Sequence, residues 1–385
     1  MKASRTLAAF AVLLLGLSFA FAQSGRRIKT QPTPATVTPK EEGYSESRPY
    51  KPVKIYPPNY KRPGSNKDDK RKAAPAVETT DDPDVIKIDA TLVNIPVSIY
   101  NRDGLYVSGL REEQFEIYED GVKQEIAYFG VNDQPVTVAL LIDTSPSTQF
   151  RIDDIRSAAA AFVRELNPED TVMVAEFDGD VQVLTEPTKD REKIFRAIQK
   201  ADFGGGTALY DAVEFALTKR LNKIEGRKAI VLFTDGVDTV SRGADYGENL
   251  IDAEESEAVI FPIYYNTFLE NRMGGGGVMT APFPIPTGGI LNPQQRGNRP
   301  EDYALGKQYL DDLAAYTGGR VYNAGSSRFG LQSTFEAIAE ELKRQYQVGY
   351  YPAKEGKPGE RKKIKVRVYR PNLIVRARDS YIVGN

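Results

Sequence analysis

The stretch VTVALLIDTSPST, Val136 to Thr148, opens with an unbroken apolar run and then sets Asp143, Ser145 and Ser147 at alternate positions. A run so rich in Val, Ile and Leu, closed by an aspartate, reads as a parallel strand buried on both faces. Polar residues begin where that strand leaves the sheet. Ligands in open α/β sheets sit outside the carboxyl ends of the strands, so these side chains lie where a site is expected. All three offer oxygen and nothing softer.

Outward from this strand, the pattern alternates between strand and helix. Strands are expected over 136–143, 170–177, 228–235, 258–265 and 320–323, with an edge strand over 181–184. Helices are expected over 152–166, 191–200, 209–221, 249–255, 303–316 and 331–345. In the first helix, Ile152, Ile155, Ala159, Phe162, Val163 and Leu166 share one face at helical spacing. Alternating elements of these lengths predict an α/β domain over 134–345, a mostly parallel sheet with helices on both faces.

The flanks read differently. Residues 85–88, 91–100, 115–119 and 124–131 are rich in β-branched and aromatic side chains, and the turn signals Asn101-Arg102-Asp103-Gly104 and Glu119-Asp120-Gly121 fall between them. Their apparent complement lies at 346–351, 363–369 and 374–377. Each group is small for an independent core. The two are therefore read as one small antiparallel β-sandwich, made of 85–133 and 346–385, into which the α/β domain is inserted.

Upstream, residues 1–22 carry Lys2 and Arg5, an apolar stretch from Leu7 to Phe19, and Ala20-Phe21-Ala22. These are the parts of a cleavable secretory signal, and the apolar run is shorter than the roughly 20 residues that span a bilayer. The reading is export, to periplasm, cell surface or medium, with no transmembrane segment in the mature chain. Residues 23–84 are rich in Pro, Lys, Arg, Thr and Ser, with RPYKP, YPPNY and KRPGSNKDDKRK. Such a segment buries too little apolar area to offset the entropy of ordering it and is expected to be a disordered spacer.

Composition narrows the chemistry. At 385 residues with 41% hydrophobic and 27% charged side chains, the chain can bury a sizeable core, and its formal net charge of -2 gives no global pull toward nucleic acid. It contains no cysteine and no histidine, which excludes disulfides, thiolate or imidazole metal sites and every nucleophile–histidine pair. No P-loop, dinucleotide fingerprint or nucleic-acid module is present.

Three polar loops are poised to converge: Asp143-Thr144-Ser145-Pro146-Ser147, Gly204-Gly205-Gly206-Thr207 and Thr234-Asp235-Gly236. Each alone has a plain explanation as a helix cap or a turn. Together, two carboxylates and three hydroxyls suit a hard divalent cation, Mg²⁺ most naturally, with Mn²⁺ or Ca²⁺ as alternatives.

The order DTSPS, GGGT, FTDG resembles the metal-ion-dependent adhesion site of von Willebrand factor type A domains, D-x-S-x-S with a distant Thr and a distant Asp. The likeness covers roughly 134–345 and implies a Rossmann-like fold. It also implies that Asp143, Ser145, Ser147, Thr207 and Asp235 surround one cation, the hydroxyls directly and the aspartates partly through water. Pro146 stands where relatives often have glycine. The flanking NRDGLYVSGLREEQFEIYEDGVKQEIAYF, QYQVGYY and RKKIKVRVYR resemble an exported von Willebrand A family abundant in acidobacteria.

The resemblance implies a non-enzymatic binding module in which the cation captures an Asp or Glu carboxylate of a protein partner. Movement of the last helix, 331–345, is then expected to reach the sandwich. A structural envelope scaffold, and a metal-dependent hydrolase using bound water, are the alternative readings. Residues 266–301 form a long apolar-containing insertion on the site face, read either as a flap over a partner or as a plain insertion.

Overall fold

The computed structural model describes residues 43–51, 92–131, 134–146, 152–265, 297, 299–324 and 328–384. The expected signal segment, the strand at 85–88 and nearly all of the 266–301 insertion lie outside these residues. Among the described residues, no helix is long and apolar enough to cross a membrane.

The quoted apolar run is strand β6, Val136–Asp143, in the middle of a six-stranded sheet. Strand β1 is Ser45–Glu46, and β2 to β5 are Val93–Tyr100, Phe115–Glu119, Val122–Gln124 and Ile126–Val131. After β6 come helix α1 (Ile152–Glu165), β7 (Thr171–Phe177), β8 (Val181–Thr188), α2 (Arg191–Lys200) and α3 (Leu209–Glu214). Strand β9 (Arg227–Thr234), α4 (Tyr246–Glu255), β10 (Val259–Tyr264), α5 (Pro300–Thr317), β11 (Tyr322–Asn323) and α6 (Arg328–Arg344) complete the inserted domain. Strands β12 to β15, Tyr346–Tyr350, Arg361–Val368, Ile374–Arg376 and Ser380–Ile382, close the chain.

The inserted sheet runs β11-β10-β9-β6-β7-β8, parallel throughout except for β8, which pairs with β7 antiparallel. Alternation along β6 feeds two cores. Val138, Leu140 and Ile142 join Ile155, Phe162 and Phe335 on one face, and Ala139 and Leu141 join Leu209, Leu250 and Leu313 on the other. A strand covered on both faces has no solvent side to mark with polar residues, which is why its sequence is continuously apolar.

The flanks form two sheets, β14-β2-β12-β5 and β1-β13-β3-β4, with β15 also on β13. Ile95, Val97, Ile117, Tyr346, Val348, Val366 and Val368 share one core between them. Each sheet takes strands from both ends of the chain, the predicted split sandwich. The chain leaves it from β5 into β6 and returns from α6 into β12.

Three expectations change in detail. The strand expected over 124–131 is divided at Glu125 into β4 and β5, and 209–221 begins as α3 but passes into a π-helical turn over Phe215–Arg220. An apolar stripe alone does not distinguish the wider turn. Helix α5 begins at Pro300, so 300–301 belong to it and not to the insertion, with Pro at the first helical turn where its missing N–H costs nothing.

The spacer reading is corrected at 43–51. Glu46 and Ser45 pair antiparallel with Arg367 and Val368, Ser47 bridges to Val375, and the Tyr50 N–H donates to Asp379 Oδ2 at 2.9 Å. The segment has little apolar area of its own but completes the open edge of β13. Edge hydrogen bonds, the Glu46–Arg367 ion pair at 2.7 Å and Arg367 lying 4.3 Å over the Tyr44 ring supply what composition lacks. Truncation through residue 51 is expected to lower the melting temperature by several degrees relative to truncation through residue 42, measured by circular dichroism. Equal melting temperatures would show that the segment adds nothing to the sandwich.

Candidate metal centre at the carboxyl ends of the sheet

Strand β6 delivers Asp143 to the end of the sheet, fully buried, and its carboxylate is held from two sides. The Ser145 N–H donates to Oδ1 at 3.0 Å and the Thr234 hydroxyl, from the end of β9, donates to Oδ2 at 2.8 Å. Thr234 Oγ in turn accepts the Gly236 N–H at 3.0 Å, and Asp235 Oδ1 accepts the Val237 N–H at 3.1 Å. The first and third loops are therefore joined through a single threonine hydroxyl.

The glycine loop joins the same group. Gly204 N–H donates to Thr144 O at 3.3 Å, and Thr144 N–H to Phe177 O at 3.0 Å. Thr207 N–H donates to the Thr239 hydroxyl at 2.8 Å, while Thr239 N–H returns a bond to Thr207 O at 2.9 Å. A Cβ on Gly204 would lie 1.1 Å from Asp178 Oδ2, so a side chain there would have to displace the Asp178 carboxylate at the end of β7. Gly236, at φ +82°, faces Gly306 of α5, where a Cβ would meet backbone at 2.7 Å. Helix α5 thus packs backbone to backbone against the loop that carries Asp235.

Asp143, Ser145, Thr207 and Asp235 are all buried at this one end of the sheet. Ser147 lies outside the described residues, and Pro146 is exposed. Burial, then repulsion from Asp235, pushes the Asp143 carboxyl up to about 7 against the pull of the Ser145 and Thr234 hydrogen bonds. Two buried carboxylates of like charge beside hydroxyl oxygens match the donor chemistry of a hard cation, which would remove that repulsion. Among the described residues no group of three or more carboxylates forms a metal cluster. The donor set is therefore hydroxyl-rich and poor in negative charge.

Thr239 and Asp178 support the loops without having been singled out in the sequence. Thr239 follows the FTDG motif closely enough to be suspected, whereas the role of Asp178 depends on which loop β7 abuts.

Residues 138–237 match the family model described as the von Willebrand factor type A domain. A UPF0353 protein of Mycobacterium avium is 27% identical over 220 residues, covering 53% of this chain and 60% of that protein. A UPF0353 protein of Mycobacterium tuberculosis is 26% identical over 219 residues, with 53% and 60% covered. The chain thus spans about 60% of the length of these curated relatives. Among solved structures, the vWF domain of the type V pili tip protein Mfa5 from Porphyromonas gingivalis aligns with TM-score 0.40 and 13% identity, over 55% of this chain and 96% of that one. A von Willebrand factor type A protein from Catenulispora acidiphila aligns with TM-score 0.40 and 12% identity, over 75% and 74%.

Proposed function

We propose that this chain, which carries a von Willebrand factor type A domain, is an exported, non-enzymatic protein-binding module whose contact is completed by a divalent cation. Asp143, Ser145, Ser147, Thr207 and Asp235 would hold the ion, Mg²⁺ first, with Mn²⁺ or Ca²⁺ as alternatives. The observation that carries the reading is the pair Asp143 and Asp235, buried together at the strand ends and repelling one another, beside hydroxyls on loops that bond to each other.

Bound there, the cation would supply an electrophile for an Asp or Glu carboxylate of a protein partner. Neutral hydroxyl donors leave that electrophilic character largely intact. The chain's own residues orient the loops: Thr234 holds Asp143, Thr239 holds the Thr207 backbone, and the glycines allow close approach. No histidine is available as a general base, and both carboxylates are committed to the proposed ion. Binding rather than hydrolysis follows from that donor set.

Titration of Mn²⁺ into chelator-treated protein, followed by water-proton relaxation, tests both steps. Saturable enhancement is expected, lost in an Asp143→Ala, Ser145→Ala double variant that retains its circular dichroism spectrum. Adding an acetyl-Asp-amide probe is expected to lower the enhancement as its carboxylate displaces bound water. Equal weak binding by both proteins would reduce the three loops to caps and turns. Metal binding without any response to the carboxylate would favour a structural role for the ion.

A further inference from the structure

A second feature lies at the far end of α5, about 18 Å from its contact with the metal loops, counting from Gly306 to Gly318 at ~1.5 Å per residue. Here residues 43–51 cross the sandwich beside the helix end, and the two share a cavity of about 490 Å³. Its walls include Arg48, Pro49 and Lys51 of the crossing segment, Ile374 and Arg376 of β14, and Gly318 after α5. Cavities of this order hold small organic ligands.

The crossing segment divides its residues between two roles. Ser45, Glu46, Ser47 and Tyr50 hold it in place. Ser45 Oγ donates to Arg370 O at 2.7 Å, Ser47 Oγ accepts the Val366 N–H at 2.9 Å, and Glu46 pairs with Arg367 and Lys365. The Tyr50 ring meets Tyr316 of α5 edge to face at 6.4 Å. Arg48 and Lys51 stand between and after these anchors, exposed, and among the described residues they form no ion pair. Arg376 has no carboxylate partner among the described residues either, and its guanidinium lies 5.5 Å from the centre of the Tyr100 ring.

Docking of the segment therefore leaves three cations unused on one cavity. The two acids in its walls are already committed. Glu46 is held by Arg367 and Lys365, which lie outside the lining, and Asp379 accepts the Tyr50 N–H and the Ser380 hydroxyl. Burial also raises the Asp379 pKa and so disfavours its charge. The C-terminal end of α5 contributes only about half a negative charge. We propose that this cavity binds a compact organic anion of two or three negative charges, held by Arg48, Lys51 and Arg376, with its carbon skeleton against Pro49 and Ile374. The two guanidinium forks suit phosphate and carboxylate groups alike, and Ile374, 42% exposed, supplies apolar surface. This assignment is independent of the metal reading.

Isothermal titration of the full chain in metal-free buffer of low ionic strength tests it, with fructose 1,6-bisphosphate and tricarballylate as phosphate and carboxylate probes. At least one of them is expected to bind saturably, with a Kd on the order of 0.1 mM and at least tenfold more tightly than the monoanion butyrate. An Arg48→Ala, Lys51→Ala double variant and Arg376→Gln should each weaken that binding about tenfold, the loss expected for a hydrogen bond to a charged group. None of these side chains anchors the segment, so unchanged circular dichroism melts should accompany the loss. Lys363→Ala, which removes an exposed cation of β13 outside the cavity, should bind as the wild type does. No saturable binding of either probe, equal affinity for butyrate, or a loss in Lys363→Ala as large as in the cavity variants would overturn the assignment.

Discussion

Glu254→Ala is expected to destabilise the protein by roughly 3–5 kcal/mol, the range for removing one partner of a buried ion pair, and to separate the unfolding of the sandwich from that of the inserted domain. The Glu254 side chain, near the end of α4, is fully buried, and Arg361 of β13 grips it with two parallel hydrogen bonds of 2.7 Å. Ser380 donates to the same carboxylate, while Arg378, itself buried, donates to the backbone oxygens of Glu254 and Ser256. Two guanidinium groups from the sandwich therefore converge on the last turn of one helix of the inserted domain. Alanine would leave them facing each other without the carboxylate. Calorimetry should show the wild type melting in one transition and the variant in two, the first displaced downward by about 10 °C. A single unshifted transition would mean that the two chain crossings alone hold the domains together.

That clasp was invisible in the sequence, and its invisibility has a physical cause. Glu254, Arg361 and Arg378 stand in unrelated segments, each indistinguishable from an ordinary surface charge until the fold brings them together. The parallel sheet was readable because burial on both faces writes a continuous apolar signature, and Val136–Asp143 was located to the residue. The short strands β1 and β15 carry no such signature: two or three residues added to the edge of β13 are stabilised by the partner's hydrogen-bonding groups. Helix α4 begins at Tyr246, ahead of the apolar stripe, because Asp245 caps it through the Glu248 N–H at 2.9 Å, a cap visible in DYGE but outweighed by periodicity. At the site, the motif residues could be named from their order along the chain. Thr234 falls in the third of the polar loops, but the coupling role of its hydroxyl could not be read, since it depends on β9 lying beside β6 in the sheet.

Asp143→Asn is expected to stabilise the metal-free protein at pH 8 while abolishing its response to Mg²⁺. The folded-state pKa of Asp143 is raised from 3.8 to about 7, first by burial and then by Asp235, so the folded state binds this proton more tightly than the unfolded chain does. The resulting stability is fully present below about pH 4 and is lost as pH rises through 7, by a few kcal/mol in all. Carboxylates with lowered values act in the opposite sense at low pH, as Glu116 does through its Lys123 and tyrosine partners. The informative quantity is thus the difference between variant and wild type in urea melts with chelator, followed from pH 4 to 8. Asparagine has no charge to lose, so the difference should grow in the variant's favour across that range. Saturating Mg²⁺ should narrow the gap at pH 8, adding about 2.7 kcal/mol to the wild type at a hundred times its Kd and nothing to the variant. If Asp143→Asn is the less stable protein at pH 8 without metal, then the Ser145 and Thr234 hydrogen bonds outweigh the repulsion from Asp235. The site would then be built around a settled carboxylate, not one that awaits a cation.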